Sequence, residues 1–292
     1  MSAVIERERD LPVAAVSAPD RGLRHEARAV KVVWQRDVVR FRKDKARIIS
    51  SMMQPLLFLF VLGKGLAAAM PRTNGLDFTT FLFPGTLATG VMFVAVFSGI
   101  SIVWDREFGF LREMLVAPIS RSSIVVGKCL GGATVATFQG LILLALAGLV
   151  GVPYNPLLIL GCVLMIFLVA FSITAFGMVL AVRVKTIQAV MPLVQMLLTP
   201  LMFLSGSLFP VGASLPLWLT IATRLNPISY AVAAMRTFVL HFIHTPAGAL
   251  SSFQGGLTWG SFVVPTWLDI LVVVGCGLAL LGVACAMFSK AE

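Results

Sequence analysis

Charged side chains are missing from long stretches of the sequence: there is none from Phe78 to Trp104 and none from Cys129 to Val182. Charged residues make up 12% of the chain and hydrophobic ones 58%. Soluble chains carry roughly 25% charged residues, so a water-soluble core is excluded. Cysteine is sparse, and Cys129, Cys162, Cys276 and Cys285 all sit in apolar runs without metal-ligand spacing. They read as small hydrophobes. His241 and His244 lie three apart with no third ligand nearby, so they read as interfacial histidines rather than a metal site. The phosphate-binding pattern GxxxxGK[ST] fails at both candidate positions, because Ser122 stands before Gly127–Lys128 and Phe58 before Gly63–Lys64. No series of carboxylates runs through the apolar segments; Lys64 and Asp269 fall near their ends. That absence disfavours transport driven by a proton or sodium gradient.

What is present is length and oiliness. Apolar runs near 48–70, 81–104, 129–150, 157–182, 188–209 and 266–288 each approach the ~20 residues that cross a bilayer as a helix. They lack strand alternation, and only helices or closed barrels span lipid. The fold class expected is therefore an all-α integral membrane protein with six transmembrane helices over 48–289. Residues 1–22 are polar and lack the apolar core of a cleaved signal; they read as a disordered cytoplasmic tail. Of the 23 lysines and arginines, all but Lys64, Arg72, Arg224 and Arg236 fall on one side of this topology. The positive-inside rule places that side, with both termini, in the cytoplasm of a cell-membrane protein. The net charge of +10 then reflects topology and attraction to anionic lipid rather than nucleic-acid binding.

Three segments carry more than hydropathy. Residues 23–47 form a basic amphipathic helix, with Leu23, Ala27, Val30, Trp34, Val38 and Phe41 on one stripe, suited to the membrane surface. Residues 104–128, WDREFGFLREMLVAPISRSSIVVGK, hold seven charges between two oily runs. A short helix over 105–116 is expected there, with Asp105 as N-cap, Arg112 within reach of Asp105 and Glu107, and an apolar side of Phe108, Leu111 and Leu115. Pro118 stops that helix and Ser120 caps the next. In the third segment, 203–236, Gly206 and Pro210 end or break the fifth span. Asn226 before Pro227 marks a helix start, and the helix that follows is too short to cross.

The residues Arg106, Glu107, Gly109, Phe110, Leu111, Arg112, Leu115, Pro118, Ser120, Arg121, Gly127 and Lys128 follow the order of a known signature. So do Phe203, Ser205, Gly206, Phe209, Pro210, Asn226, Pro227, Tyr230 and Arg236. Together they resemble the type-2 ATP-binding-cassette export permeases, the drug, glycolipid and polysaccharide exporters; Phe110 stands where threonine is commoner. The resemblance implies that 105–128, with Asp105, Arg106, Glu107, Gly109, Leu111, Arg112, Glu113, Pro118, Ser120 and Arg121, couples to an ATPase. It implies a re-entrant segment over 210–243, with Phe209, Pro210, Asn226, Pro227, Tyr230 and Arg236 as an outer plug or gate. Spans two and five would line a path, through Phe83, Met92, Phe93, Met196, Phe203 and Ser205. No cofactor is expected on this chain; ATP and Mg would sit on two copies of a separate ATPase subunit. A second permease, identical or paralogous, would complete the path. The implied function is export of a hydrophobic drug or lipid-like substrate, by a subunit that is not itself an enzyme. Export of a polysaccharide or glycolipid is the alternative, and an ion-coupled secondary transporter the third.

Overall fold

The computed structural model describes residues 22–69, 78–117, 119–209, 216–243, 257–259 and 262–291. Helix α1, Leu23–Lys43, precedes the first long apolar helix. That helix is composite: α2 (Lys45–Leu56) leads through a π-helical stretch, Leu57–Leu62, into α3 (Gly63–Ala69). Pro55 lies just before the wide turn and is the residue that cannot donate a regular helical bond. Next come α4 (Phe78–Gly99), α5 (Ser101–Glu107), α6 (Phe110–Val116), α7 (Arg121–Leu144), α8 (Pro156–Arg183) and α9 (Ile187–Leu204). Two shorter helices, α10 (Leu217–Leu225) and α11 (Pro227–Phe242), are followed by a hairpin, β1 (Thr258–Trp259) with β2 (Phe262–Val263), and by α12 (Thr266–Ala291).

Six helical segments are long and apolar enough to cross a membrane: Lys45–Ala68, Phe78–Glu107, Arg121–Leu144, Pro156–Arg183, Ile187–Leu204 and Thr266–Lys290. The six expected spans are all present, with ends displaced by sequence-local causes. The third begins at Arg121 rather than at Cys129, because the Ser120 side chain accepts from the Ser123 N–H and starts the helix early. It ends at Leu144, where Tyr154 ties the following turn through its bonds to Ala145 O (2.6 Å) and Gly148 N (3.0 Å). The loop expected over 105–128 is consequently a loop only between α5 and α7, interrupted by α6; its flanks continue spans two and three. The tail expected over 1–22 lies outside the described residues apart from Gly22.

Span two is the axis of the protomer. It packs on α7, α8 and α11, and nearly all of α4 is buried. Gly99 and Gly177 face each other where α4 crosses α8, and a Cβ on either would collide with the other helix's backbone. Small residues at such a crossing let helices approach in lipid. Spans one, five and six, by contrast, have far fewer buried residues.

Helix α1 is not a free surface helix. It lies along α7, where Val33 occupies the space above Gly127; a Cβ at Gly127 would stand 2.8 Å from Val33 Cβ. The buried positions are Ala29, Val33 and Phe41, with Trp34 donating to Thr134 Oγ1 at 2.9 Å. The face used is therefore rotated from the stripe read in the sequence, and Leu23 is left exposed. The neighbour that the helix packs on is span three, itself a transmembrane element.

Candidate functional site

The charged stretch is built around three consecutive residues that face three different parts of the molecule. Asp105, inside α5 and buried, holds Lys128 Nζ at 2.6 Å and Arg36 Nη2 at 2.9 Å, with Arg40 at 3.6 Å. Arg106 donates to the carbonyls of Ala181 (3.1 Å) and Val184 (3.3 Å), at the end of α8. Glu107 accepts the Ile187 N–H at 3.0 Å, on the first turn of α9, where a carboxylate suits both the free amides and the helix dipole. Asp105 is thus not the N-cap expected of it. It is the centre of an ion-pair cluster, and the helix it belongs to is the end of span two.

Lys128, placed in a loop by the charge count, is fully buried in α7. Its ammonium is satisfied by Asp105, by Ser101 Oγ at 3.0 Å and by Asp37 at 3.7 Å. Burying such a cation requires paired and hydrogen-bonded partners, and these come from α1 and α5. Arg36 also reaches Met114 Sδ of α6 at 3.3 Å. At the other end of α1, Glu26 accepts from the Ser120 hydroxyl (2.7 Å), the Ser120 N–H (3.2 Å) and the Ser123 hydroxyl (2.6 Å). These hydrogen bonds, from Ser123 first, hold the Glu26 carboxyl below its ordinary value. Helix α1 is therefore fastened to both the entry and the exit of the charged segment between α5 and α7. Glu26, Arg36 and Asp37 escaped the sequence reading because their partners lie far along the chain, 94 residues away for Glu26 and Ser120.

Gly109 turns the chain from α5 into α6 with φ +82°, a conformation that glycine adopts without penalty. On α6 Leu111 points inward and is buried, so the apolar docking side expected of Phe108, Leu111 and Leu115 is redistributed. Phe108, Phe110 and Val116 are the exposed ones, at 66%, 53% and 85%. Glu113 borders a groove between α6 and α1, with Met114 and Ile119 on one side and Arg28, Val32 and Arg36 on the other. Pro118 and the Arg112 side chain lie outside the described residues. Arg121 donates to Ser289 O at 3.1 Å, so the end of span six lies beside the charged segment, as six crossings require.

The residues expected along a path divide. Phe83, Met92 and Ser205 are buried within the protomer and offer no surface. Met196 and Phe203 are exposed on α9. Phe93 is half-buried and faces a cleft beside α1.

At the opposite end the Asn226–Pro227 start is realised as read: Asn226 Oδ1 accepts from Ile228 N at 3.0 Å. Its Nδ2 also donates to Leu201 O at 2.7 Å, and Ser229 Oγ donates to Leu204 O at 3.0 Å. Tyr230 donates to Arg224 O at 2.8 Å and accepts from Trp259 Nε1 at 3.2 Å. Arg236 is buried, with Nη2 donating to Gly206 O at 2.8 Å and its guanidinium 4.1 Å above the Phe81 ring. Phe209 is half-buried, and Pro210 lies outside the described residues. This block joins the end of span five to α11.

Six helices long and apolar enough to cross a membrane, with an N-terminal amphipathic helix fastened to a charged loop between the second and third, define an all-helical integral membrane protein. The profile of the ABC-2 type transporter family matches residues 28–240, and the chain belongs to that family. It is 29% identical over 216 residues to a protein named as transport permease ycf38 of Cyanophora paradoxa, covering 72% of this chain and 73% of that one. It is 30% identical over 212 residues to Nodulation protein J of Rhizobium leguminosarum bv. trifolii, covering 71% and 80%. The chain is accordingly a multi-pass permease subunit of an ABC transporter, a transport component whose family works with an ABC ATPase subunit.

Proposed function

We propose that the chain is half of an exporter that moves a hydrophobic drug or lipid-like substrate outward, driven by two ATPase subunits that dock on the segment around α6. The observation that carries this reading is the set of ties made by Asp105, Arg106 and Glu107. A push on the exposed Phe108, Phe110 and Val116 would reach α1 and α7 through Asp105, α8 through Arg106 and α9 through Glu107. Local force on one short helix then becomes movement of four elements, two of which carry exposed spans toward a second permease. The lysine- and arginine-rich end faces the cytoplasm in this reading, where ATP is available. A polysaccharide or glycolipid is the second reading, favoured by the charged rim of the cleft that Phe93 faces.

The test is to express the permease with candidate ATPase subunits and reconstitute the complex. ATP-dependent outward movement of a lipid-like probe, lost in Phe108→Ala with Phe110→Ala although the permease still inserts, supports the reading. Movement that follows a proton gradient in the absence of any ATPase subunit overturns it.

A further inference from the structure

A cleft of about 500 Å3 opens at the basic end of the protomer, within the ~300–1,000 Å3 that small-molecule sites occupy. One wall is a single aromatic stripe. From Thr79 to Gly99 every residue of α4 is buried except Phe93 and Phe97, which stand one helical turn apart on one face. Ser101 and Trp104 continue that face through α5, and all four line the cleft. The facing wall comes from the elbow between α1 and α2 and presents Arg40, Arg47 and Gln54.

The charges of that elbow are unevenly matched. Asp37 and Asp105 are taken up by Lys128 and Arg36, Arg40 stands 3.6 Å from Asp105 at the edge of that cluster, and Asp44 accepts the Arg47 N–H at 3.0 Å. The Arg47 guanidinium itself makes no hydrogen bond or ion pair among the described residues. A planar, permanently charged fork at the mouth of an aromatic-walled cleft suits a phosphate or carboxylate. The apolar wall behind it suits hydrocarbon.

We infer that this cleft binds an anionic amphiphile, its phosphate or carboxylate on Arg47 and Arg40 and its apolar body against Phe93, Phe97 and Trp104. The inference deepens the proposed export of a lipid-like molecule and, as a statement about substrate, rests on it. The site lies within one protomer, so each copy of the permease carries its own, next to the ion-pair cluster that ties α5 to α1. Ser101 belongs to both, lining the cleft while accepting from Lys128.

The test reads labelling on the full-length permease in nanodiscs of neutral lipid and turnover on the same nanodiscs with ATPase subunits added, using photoactivatable phosphatidic acid and diacylglycerol probes of the same acyl chains. The acidic probe should label residues 40–104 several-fold more strongly than the neutral one. Arg47→Gln should lower acidic-probe labelling about tenfold, the equivalent of ~1.4 kcal/mol, and Arg47→Lys should recover part of it. Phe97→Ala should weaken both probes. Equal labelling by the two probes, or labelling indifferent to Arg47→Gln, overturns the site. Release of bound probe on ATP turnover supports its being cargo; probe that stays through turnover overturns the substrate claim and marks a resident lipid on the same residues. Failure of any ATPase subunit to bind the wild-type permease would strike the exporter reading alone, since labelling is read without it.

Discussion

At the basic end, Asp105 lies among Lys128, Arg36 and Arg40, whereas at the opposite end Arg236 makes no ion pair among the described residues and donates to the Gly206 carbonyl. Asn226, Ser229 and Tyr230 likewise bond to backbone carbonyls, of Leu201, Leu204 and Arg224. The Asp105 cluster is held by side chains that meet other side chains, the opposite block mostly by side chains that meet main chain. Side-chain pairs can exchange partners when a helix shifts, because Arg36 has both Asp105 and Asp37 within reach, at 2.9 and 3.5 Å. A carbonyl at a helix end moves only if its helix moves. The Asp105 cluster can therefore rearrange, whereas the opposite end holds span five against α11.

The largest expected effect breaks the inner cluster. Lys128→Met leaves Asp105 and Asp37 without their buried cation, and removing one partner of a buried pair costs about 3–5 kcal/mol. Thermal unfolding of the purified permease should show a large loss of melting temperature. Adding Asp105→Asn should recover part of it, because the carboxylate is no longer left to be matched. An unchanged melting temperature in the single variant would remove the cluster from any structural role.

Next comes the docking surface. Phe108→Ala with Phe110→Ala should reduce ATPase-subunit affinity by ten- to a hundredfold, in the range of about 2 kcal/mol for an interfacial aromatic, as measured by co-purification at graded concentrations. The same change should leave the permease's unfolding free energy within about 0.5 kcal/mol of wild type, as exposed positions do. At the end opposite the charged cluster, Asn226→Ala removes a helix cap, worth ~1 kcal/mol, and with it the bond to Leu201 O. It should lower stability without altering ATPase binding, which would set the two ends apart experimentally.

The smallest effect concerns pH. Because the serine hydrogen bonds lower the Glu26 pKa from 4.5, the tether contributes fully above the ordinary carboxylate value. It is lost as pH falls through the lowered value. A spin label at His25 should stay restrained near neutral pH and become mobile only in acid below that range. In Glu26→Gln its mobility should no longer depend on pH.

The six spans were legible because hydropathy and length are local properties. The Ser120 and Asn226 caps were legible for the same reason, since a cap and its amide lie within three residues. What the sequence misled on was long-range. A charge rule counts Lys128 as a solvated loop residue, because nothing within its own segment shows that Asp37 and Asp105 will surround it. Asp105 resembles a cap when only the next turn is considered, and Leu111 resembles a docking residue until the elements beneath α6 are in place. Phe93 was named for a path, and its partner Phe97 was not. What distinguishes the pair is that the rest of α4 is covered by α7, α8 and α11, a fact of assembly rather than of composition.

The three residues Asp105, Arg106 and Glu107 can be regarded as an address in which position matters as much as charge. Successive helix residues point about 100° apart, so each letter delivers its bond to a different helix. Reversing the order to Glu-Arg-Asp would keep the charge, the hydropathy and the topology signal. It would send the longer carboxylate toward the buried cluster and the shorter one toward Ile187, beyond comfortable reach. Two permeases of equal composition could thus insert equally well, and only the one with the right spelling would answer to its motor.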